Sequence, residues 1–140
     1  MAYDNDNIFA KILRGEAPAF KVFEDDYSLA FMDVMPQVEG HTLVIPKDAT
    51  ENIHNADPAI LGHTMATVQR VAAAVKTAFD APGIMLAQLN GEAAGQTVFH
   101  LHFHIIPRWN GSELKQHGAI QSSSKALEKN AQLIRKKLKE

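Results

Sequence analysis

The chain has 140 residues, of which 46% are hydrophobic and 21% charged, with a net charge of −2 and no cysteine. This is the length and composition of one ordinary globular domain with enough apolar residues for a core. It excludes disulfides, thiolate metal sites and cysteine nucleophiles, and it gives no electrostatic reason to bind nucleic acid or a membrane surface.

The first residues, Met1-Ala2-Tyr3-Asp4-Asn5-Asp6-Asn7, are polar and acidic, unlike a secretory signal. No apolar run approaches the ~18 residues of a membrane span, so a cytoplasmic protein is expected. Asn7 caps a short helix over 8–14, with Ile8, Phe9 and Ile12 on one side and Gly15 ending it. Alternating stretches over 20–24 and 28–33, joined at Asp25-Asp26, read as a hairpin. After a loop over 36–40, His41-Thr42-Leu43-Val44-Ile45-Pro46 reads as a central strand because it is almost entirely apolar.

Asp57-Pro58 is a cap followed by proline in the first turn, the start of a long helix. Leu61, Met65, Val68, Ala72, Val75 and Phe79 follow at helical spacing and form its expected apolar stripe, ended by Ala81-Pro82-Gly83. Strands are expected over 83–89 and 98–106, separated by the glycine-bearing loop over 90–97. Ser124 caps a final helix with Leu127, Ala131, Ile134 and Leu138 on one face. The sum is a single α+β domain spanning 1–140. It has an antiparallel sheet of about five strands, a short first helix, a long middle helix and a carboxy-terminal helix in an extension over 112–140.

The chemistry concentrates in His100-Leu101-His102-Phe103-His104. On a strand, alternate side chains share a face, so three imidazoles spaced roughly 6.5–7 Å apart face one way and Leu101, Phe103 and Ile105 enter the core. Three readings fit such a row. It can be a hydrogen-bonded pocket wall, a zinc site built on His-x-His, or a phosphate site in which one neutral imidazole attacks phosphorus while its neighbours stabilise charge. A zinc site wants further ligands and orienting carboxylates. The residues before the triad, Gly95-Gln96-Thr97-Val98, contain no acid and instead supply backbone N–H groups, an amide and a hydroxyl suited to phosphate oxygens. Loop and triad together favour phosphate.

The run His100 to Ile106 resembles the signature of the histidine triad (HIT) family, in which histidines alternate with apolar residues. The likeness extends to Asn7-Ile8-Phe9-Ala10-Lys11-Ile12, Phe23-Glu24-Asp25-Asp26, Ala30-Phe31-Met32-Asp33, Gly40 to Lys47 and Gly95 to Val98, covering about residues 7–109. The opening blocks look like the nucleotide-binding phosphoramidase branch, whereas His104 to Arg108 is closer to the fragile histidine triad and bacterial HIT hydrolases.

The resemblance implies a HIT-like fold and a nucleotide phosphohydrolase that uses no cofactor and prefers purines. It implies that His102 is the nucleophile forming a nucleotidyl-histidine at the α-phosphate. His100 and His104 would flank it, binding phosphate oxygens and the leaving group, with His41 completing the charge network. Asp33 would bind the ribose hydroxyls, and Ile8, Phe9, Ile12, Phe31 and Val34 would sandwich the base. Asn90, Gly95, Gln96 and Thr97 would contact phosphate. It implies a homodimer with two sheets joined into one and the 58–79 helix near the contact. The expected reaction releases a nucleoside monophosphate from a nucleoside phosphoramidate or related phospho-linked substrate. The alternatives are a dinucleoside polyphosphate hydrolase, a nucleotide-binding regulator with weak turnover, and a metal-binding β-domain.

Some bacterial relatives carry a Cys-x-x-Cys in the first helix that helps hold a structural zinc. Asn7 and Ala10 occupy those positions here, and Ala49 stands where a histidine ligand would fall, so no such zinc site is expected. Relatives that transfer uridylyl groups place glutamine at the third triad position, and His104 here points to hydrolysis. His54, His63 and His117 read as solvated surface groups, as does the basic run Arg135-Lys136-Lys137-Leu138-Lys139, whose cations suit a helix C-terminus. Trp109 could cover the pocket or pack against a second copy.

Overall fold

The computed structural model describes residues 2–114 and 121–140. His117 lies outside the described residues. The elements run α1 (Ile8–Leu13), β1 (Lys21–Glu24), β2 (Ser28–Met32), β3 (Thr42–Pro46), α2 (Pro58–Ala78), β4 (Gly83–Ala87), β5 (Phe103–Arg108) and α3 (Ser124–Leu138). The five strands form one antiparallel sheet in the order β1-β2-β3-β5-β4. This α+β architecture is the one the sequence predicts, with β3 at the centre.

Local chemistry sets the ends of these elements. The side chain of Asn7 accepts from the Ala10 N–H, and Gly15 leaves the helix at φ +78°. Asp57 caps α2 through the Ala59 N–H with Pro58 in the first turn. The β1–β2 turn closes on Asp25, whose carboxylate accepts from the Tyr27 and Ser28 N–H groups. The cap of α3 is Ser123, one residue before the expected Ser124.

The sheet is covered on both faces, which is why every residue of β2 and β3 is buried. Ala30, Met32, Val44, Leu101, Phe103 and Ile105 point towards α2 and α3, meeting Val68, Val71, Val75, Leu127, Ala131 and Ile134. Leu29, Phe31, Leu43 and Ile45 point the other way, towards Phe9 and Ile12 of α1. The single-residue alternation therefore sorts side chains between a helical layer and a second layer that α1 only partly covers.

Two expectations are corrected. The buried face of α2 is Thr64, Thr67, Val68, Val71, Ala74 and Val75, while Met65 is 41% exposed. Small and β-branched residues bring this helix close to the sheet, and Ser28 and Thr67 satisfy each other's buried hydroxyls at 2.7 Å. Of the expected stripe, Val68 and Val75 are buried and Leu61, Ala72 and Phe79 pack partly buried against the same core, while Met65 lies on the shoulder beside β4. The last strand begins at Phe103 rather than Val98, because upstream of it the Leu101 N–H donates to the Thr50 carbonyl instead of to β3. It continues through Pro107 to Arg108, paired with β4.

Arg135 is not simply solvated. Its Nε donates to the Lys21 carbonyl at 2.7 Å and its guanidinium pairs with Glu128, tying α3 to β1. His54 and His63 are exposed as expected, although His63 stacks on Tyr27 with ring centroids 3.8 Å apart. Trp109 leans on the turn after α2, its indole N–H donating to the Asp80 carbonyl, and it does not line the pocket described below.

Candidate active site

On the face that α1 half covers lies a cavity of about 610 Å³. Ile8, Phe9, Ile12, Phe31 and Val34 line it, all of them residues expected to hold a base. Asp33, Thr97, His102 and His104 also reach it. Val98, next to Thr97, joins them, and the remaining wall comes from Ala17, Pro18, Ala19, Met32, Met35 and Leu43. None of these six carried a sequence signal of its own, because an apolar side chain in a strand or loop reads first as core. The result is an apolar slot with polar groups gathered at one end, the usual shape of a small-molecule site.

The histidines are brought together. Ring centroids are 5.0 Å apart for His102 and His104 and 5.1 Å apart for His41 and His104. His104 lies opposite Leu43 of β3 and Ala87 of β4, so its position is fixed by register on both sides. The apolar partners Leu101, Phe103 and Ile105 are buried on the opposite face, as the alternation requires.

Hydrogen-bond partners assign the tautomers. The His102 Nδ1 lies 2.7 Å from the His100 carbonyl, which can only accept, so a neutral His102 holds its proton on Nδ1 and its lone pair on Nε2. The Gln37 N–H donates to His41 Nδ1 at 3.0 Å. His41 therefore carries its proton on Nε2 and donates to His104 Nδ1 at 2.8 Å. A neutral His104 must then hold its own proton on Nε2. A ring lone pair and a proton donor thus sit side by side on neighbouring rings. Asp33 Oδ2 is 3.4 Å from His41 Nε2, while its Oδ1 accepts from the Met35 N–H.

His100 departs from the flanking role expected of it. Its ring is fully buried, Nε2 donates to the Pro46 carbonyl at 2.9 Å, and Nδ1 accepts from the Tyr3 hydroxyl at 2.5 Å. Burial pushes its pKa down to about 4, so it is uncharged at neutral pH and is not an imidazolium. Both nitrogens are already engaged, which leaves its backbone carbonyl as the link to His102.

The glycine-bearing loop also divides. Thr97 lines the cavity, but Asn90, Gly95 and Gln96 do not. Gln96 is buried, accepting from the Gly91 N–H and donating to the Glu51 and Val98 carbonyls, so it braces the loop. The Asn90 amide oxygen accepts from the Ile53 N–H and from the Gln88 amide. Gly95 turns the chain at φ +99°, where a side chain would be strained.

Asp33, His41 and His104 offer ligand atoms within 4.8 Å of one another, the spacing of a metal cluster. The donor chemistry argues otherwise. The Gln37 N–H holds His41 Nδ1 as an acceptor, so Nε2 bears the proton and offers no lone pair to a metal. These three residues fit a hydrogen-bonded relay.

A family model for the HIT domain matches residues 14–111. The chain is 51% identical to the crystal structure of a HIT-like protein of Bartonella henselae described as involved in cell-cycle regulation. That alignment covers 97% of this chain and 99% of the other, with a TM-score of 0.91. The protein Hit of Bacillus subtilis is 43% identical over 102 residues, 73% of this chain and 70% of that protein. Adenylylsulfatase HINT3 of Arabidopsis thaliana is 37% identical over 119 residues, 81% of this chain and 60% of that protein.

Proposed function

Because this chain belongs to the histidine triad (HIT) family, we propose that it is a nucleotide phosphohydrolase acting by double displacement. The substrate is a nucleoside phosphoramidate or a related conjugate in which the α-phosphate carries a small leaving group. A family that includes an enzyme named as an adenylylsulfatase supports nucleotidyl conjugates as the class.

The observation that carries this reading is the bond from His102 Nδ1 to the His100 carbonyl. It directs the Nε2 lone pair of a neutral ring towards the polar end of the cavity. His102 attacks phosphorus, and the bond from phosphorus to the leaving nitrogen breaks while that nitrogen, hydrogen-bonded by the His104 Nε2–H, takes up a proton from solvent. Water then attacks the nucleotidyl-histidine, the P–N bond to His102 breaks to give back the neutral ring, and the proton that the water sheds returns to solvent. His41 holds His104 in the donating tautomer throughout the first half. Positioning and oriented charge supply the acceleration.

The base lies between Ile8, Phe9, Ile12, Phe31 and Val34, a slot with apolar walls that suits a purine face, and Asp33 reaches the ribose hydroxyls. Thr97 contacts phosphate directly, with Asn90, Gly95 and Gln96 shaping the loop that presents it. No helix among the described residues is long and apolar enough to cross a membrane. A second copy pairs through β4, beside the exposed shoulder of α2.

The test is a substrate panel with mass detection of the adduct. Adenosine phosphoramidate should be hydrolysed faster than diadenosine polyphosphates, and the trapped nucleotidyl group should map to His102 and vanish in His102→Ala. Faster hydrolysis of diadenosine polyphosphates would favour the dinucleotide alternative. Tight monophosphate binding with negligible turnover of either substrate would favour a regulator.

A further inference from the structure

The hydroxyl of Tyr3 reaches across 97 residues of sequence to donate to His100 Nδ1, and the two rings meet edge to face with centroids 5.7 Å apart. Nothing in the local sequence pattern marks this residue, which precedes the first helix and lies outside the matched family region.

The segment that carries Tyr3 is tied down. Asn7 donates from its side chain to the Asp4 carbonyl at 2.7 Å, and Arg14 Nη1 donates to the Asn5 carbonyl at 2.8 Å. Arg14 is itself held by Glu16 at 2.6 Å. Tyr3 is half-buried, and burial raises its pKa, so the phenol keeps its proton and remains a donor.

We propose that Tyr3 is a positioning residue for the nucleophile, acting through His100. The phenol and the Pro46 carbonyl engage the two nitrogens of the His100 ring from opposite sides. The carbonyl of the same residue holds His102 Nδ1. Phe9 closes the arrangement, its ring set edge to face against both His100 and His102 at 6.4 and 5.0 Å. A ring fixed at both nitrogens cannot rotate or exchange tautomers, and its backbone carbonyl stays aimed at His102. Without the phenol, a buried nitrogen lone pair loses its donor, and the ring turns over or admits water to satisfy it. The His100 carbonyl then shifts, and a sub-ångström error at an attacking atom is expensive.

The inference rests on the nucleotidyl-transfer reading, but part of its test does not. The first measurement is made on the wild-type chain, where long-range ¹H–¹⁵N spectra report the tautomer of each ring. His100 should be protonated at Nε2 with Nδ1 accepting, and His102 protonated at Nδ1. Wild-type His100 protonated at Nδ1 would overturn the proposal at once.

The second measurement compares Tyr3→Phe, which removes one oxygen and keeps the ring. The His100 Nδ1 and His102 resonances should move while the core amides stay in place. In steady state, kcat should fall about ten-fold with KM unchanged, and adduct formation on His102 should slow by the same factor. A variant with wild-type imidazole resonances and wild-type kcat refutes the proposal. A fall confined to KM also refutes it, because Tyr3 would then be touching substrate. A wild-type chain inert towards the whole substrate panel fails the functional reading instead, and the imidazole resonances of Tyr3→Phe still decide whether Tyr3 holds the two rings.

Discussion

His41 Nε2, on the residue before β3, stands 2.8 Å from His104 Nδ1 on the neighbouring β5, with the Gln37 N–H behind it. One backbone donor therefore decides the tautomer of two buried rings in series. His41→Ala removes the group that holds His104 as a donor towards the cavity. Turnover should fall roughly 10–100-fold, the cost typical of losing a residue that orients a reacting group. The His102 adduct should still form, more slowly, because the nucleophile is intact. Rapid-quench kinetics separates adduct formation from hydrolysis, and a wild-type kcat in His41→Ala would mean that the His104 N–H plays no part at the leaving group.

Acid should weaken the fold through His100. Its pKa is pushed down to about 4 by burial, against an ordinary value of 6.5 in the unfolded chain. Below pH 6.5 the unfolded chain takes up a proton that the folded protein refuses. Stability is therefore full above that pH and declines as pH falls towards 4. Integrated over that window, this one residue accounts for a loss of about 3 kcal/mol. Denaturant midpoints measured from pH 7.5 to 4.5 should fall accordingly, and an NMR titration should show His100 uncharged at pH 5.5. A His100 ring that titrates at the ordinary value would contradict the burial argument.

Gln96 tests what the loop before the triad does. Its amide makes hydrogen bonds of 2.7, 2.8 and 3.0 Å, all to backbone groups. Gln96→Ala should cost about 2 kcal/mol of unfolding free energy as those groups lose their partner. Any rise in KM should be secondary, through a displaced Thr97. If the denaturation midpoint were unchanged and KM alone rose, the amide would be meeting substrate.

The alternation of apolar and histidine residues from His100 to Ile105 predicts that Leu101, Phe103 and Ile105 enter the core, because successive side chains of an extended chain point to opposite sides. It could not distinguish His102 and His104, which reach the cavity, from His100, which is sealed behind them. That difference is made by the Pro46 carbonyl and Tyr3, which are remote in sequence. The cap-and-proline signal at Asp57-Pro58 located the start of α2 to the residue, since capping is local. The face that α2 buries is the expected one at Val68 and Val75, but Met65 is exposed, because the close approach of helix to sheet selects the smaller Thr64, Thr67 and Val71.

Gly40 is required both for its conformation and for the space it leaves. It has φ +91°, and a Cβ there would lie 2.9 Å from two Phe79 ring carbons and 3.1 Å from Pro107 Cγ. Gly40→Ala should destabilise the protein by about 1–3 kcal/mol through backbone strain and overpacking. It should also disturb His41, the next residue. Thermal unfolding and the His41 imidazole shifts measure the two effects. An alanine variant as stable as wild type would mean that Phe79 moves aside at little cost.

The last prediction concerns the shoulder of α2. Leu86 is 50% exposed on β4 and Met65 is 41% exposed on α2, and Gly62, Ala66, Ala72 and Ile84 complete an apolar groove between them. Beside it, β4 pairs with β5 alone among the described residues, so its outer edge faces away from the sheet. An apolar patch next to an unprotected edge invites aggregation unless something covers it. A two-fold axis through that edge would cover both with the same surface from a second copy, since antiparallel pairing of a strand with itself is self-complementary. Leu86→Glu combined with Met65→Glu should therefore convert a dimer in sedimentation velocity to a monomer. Leu86 lies opposite Ile105 on the helical face of the sheet, whereas His102 and His104 open onto the cavity on the other face, so the monomer should keep its imidazole spectrum. A wild-type chain that sediments as a monomer at every concentration would leave the groove to another partner.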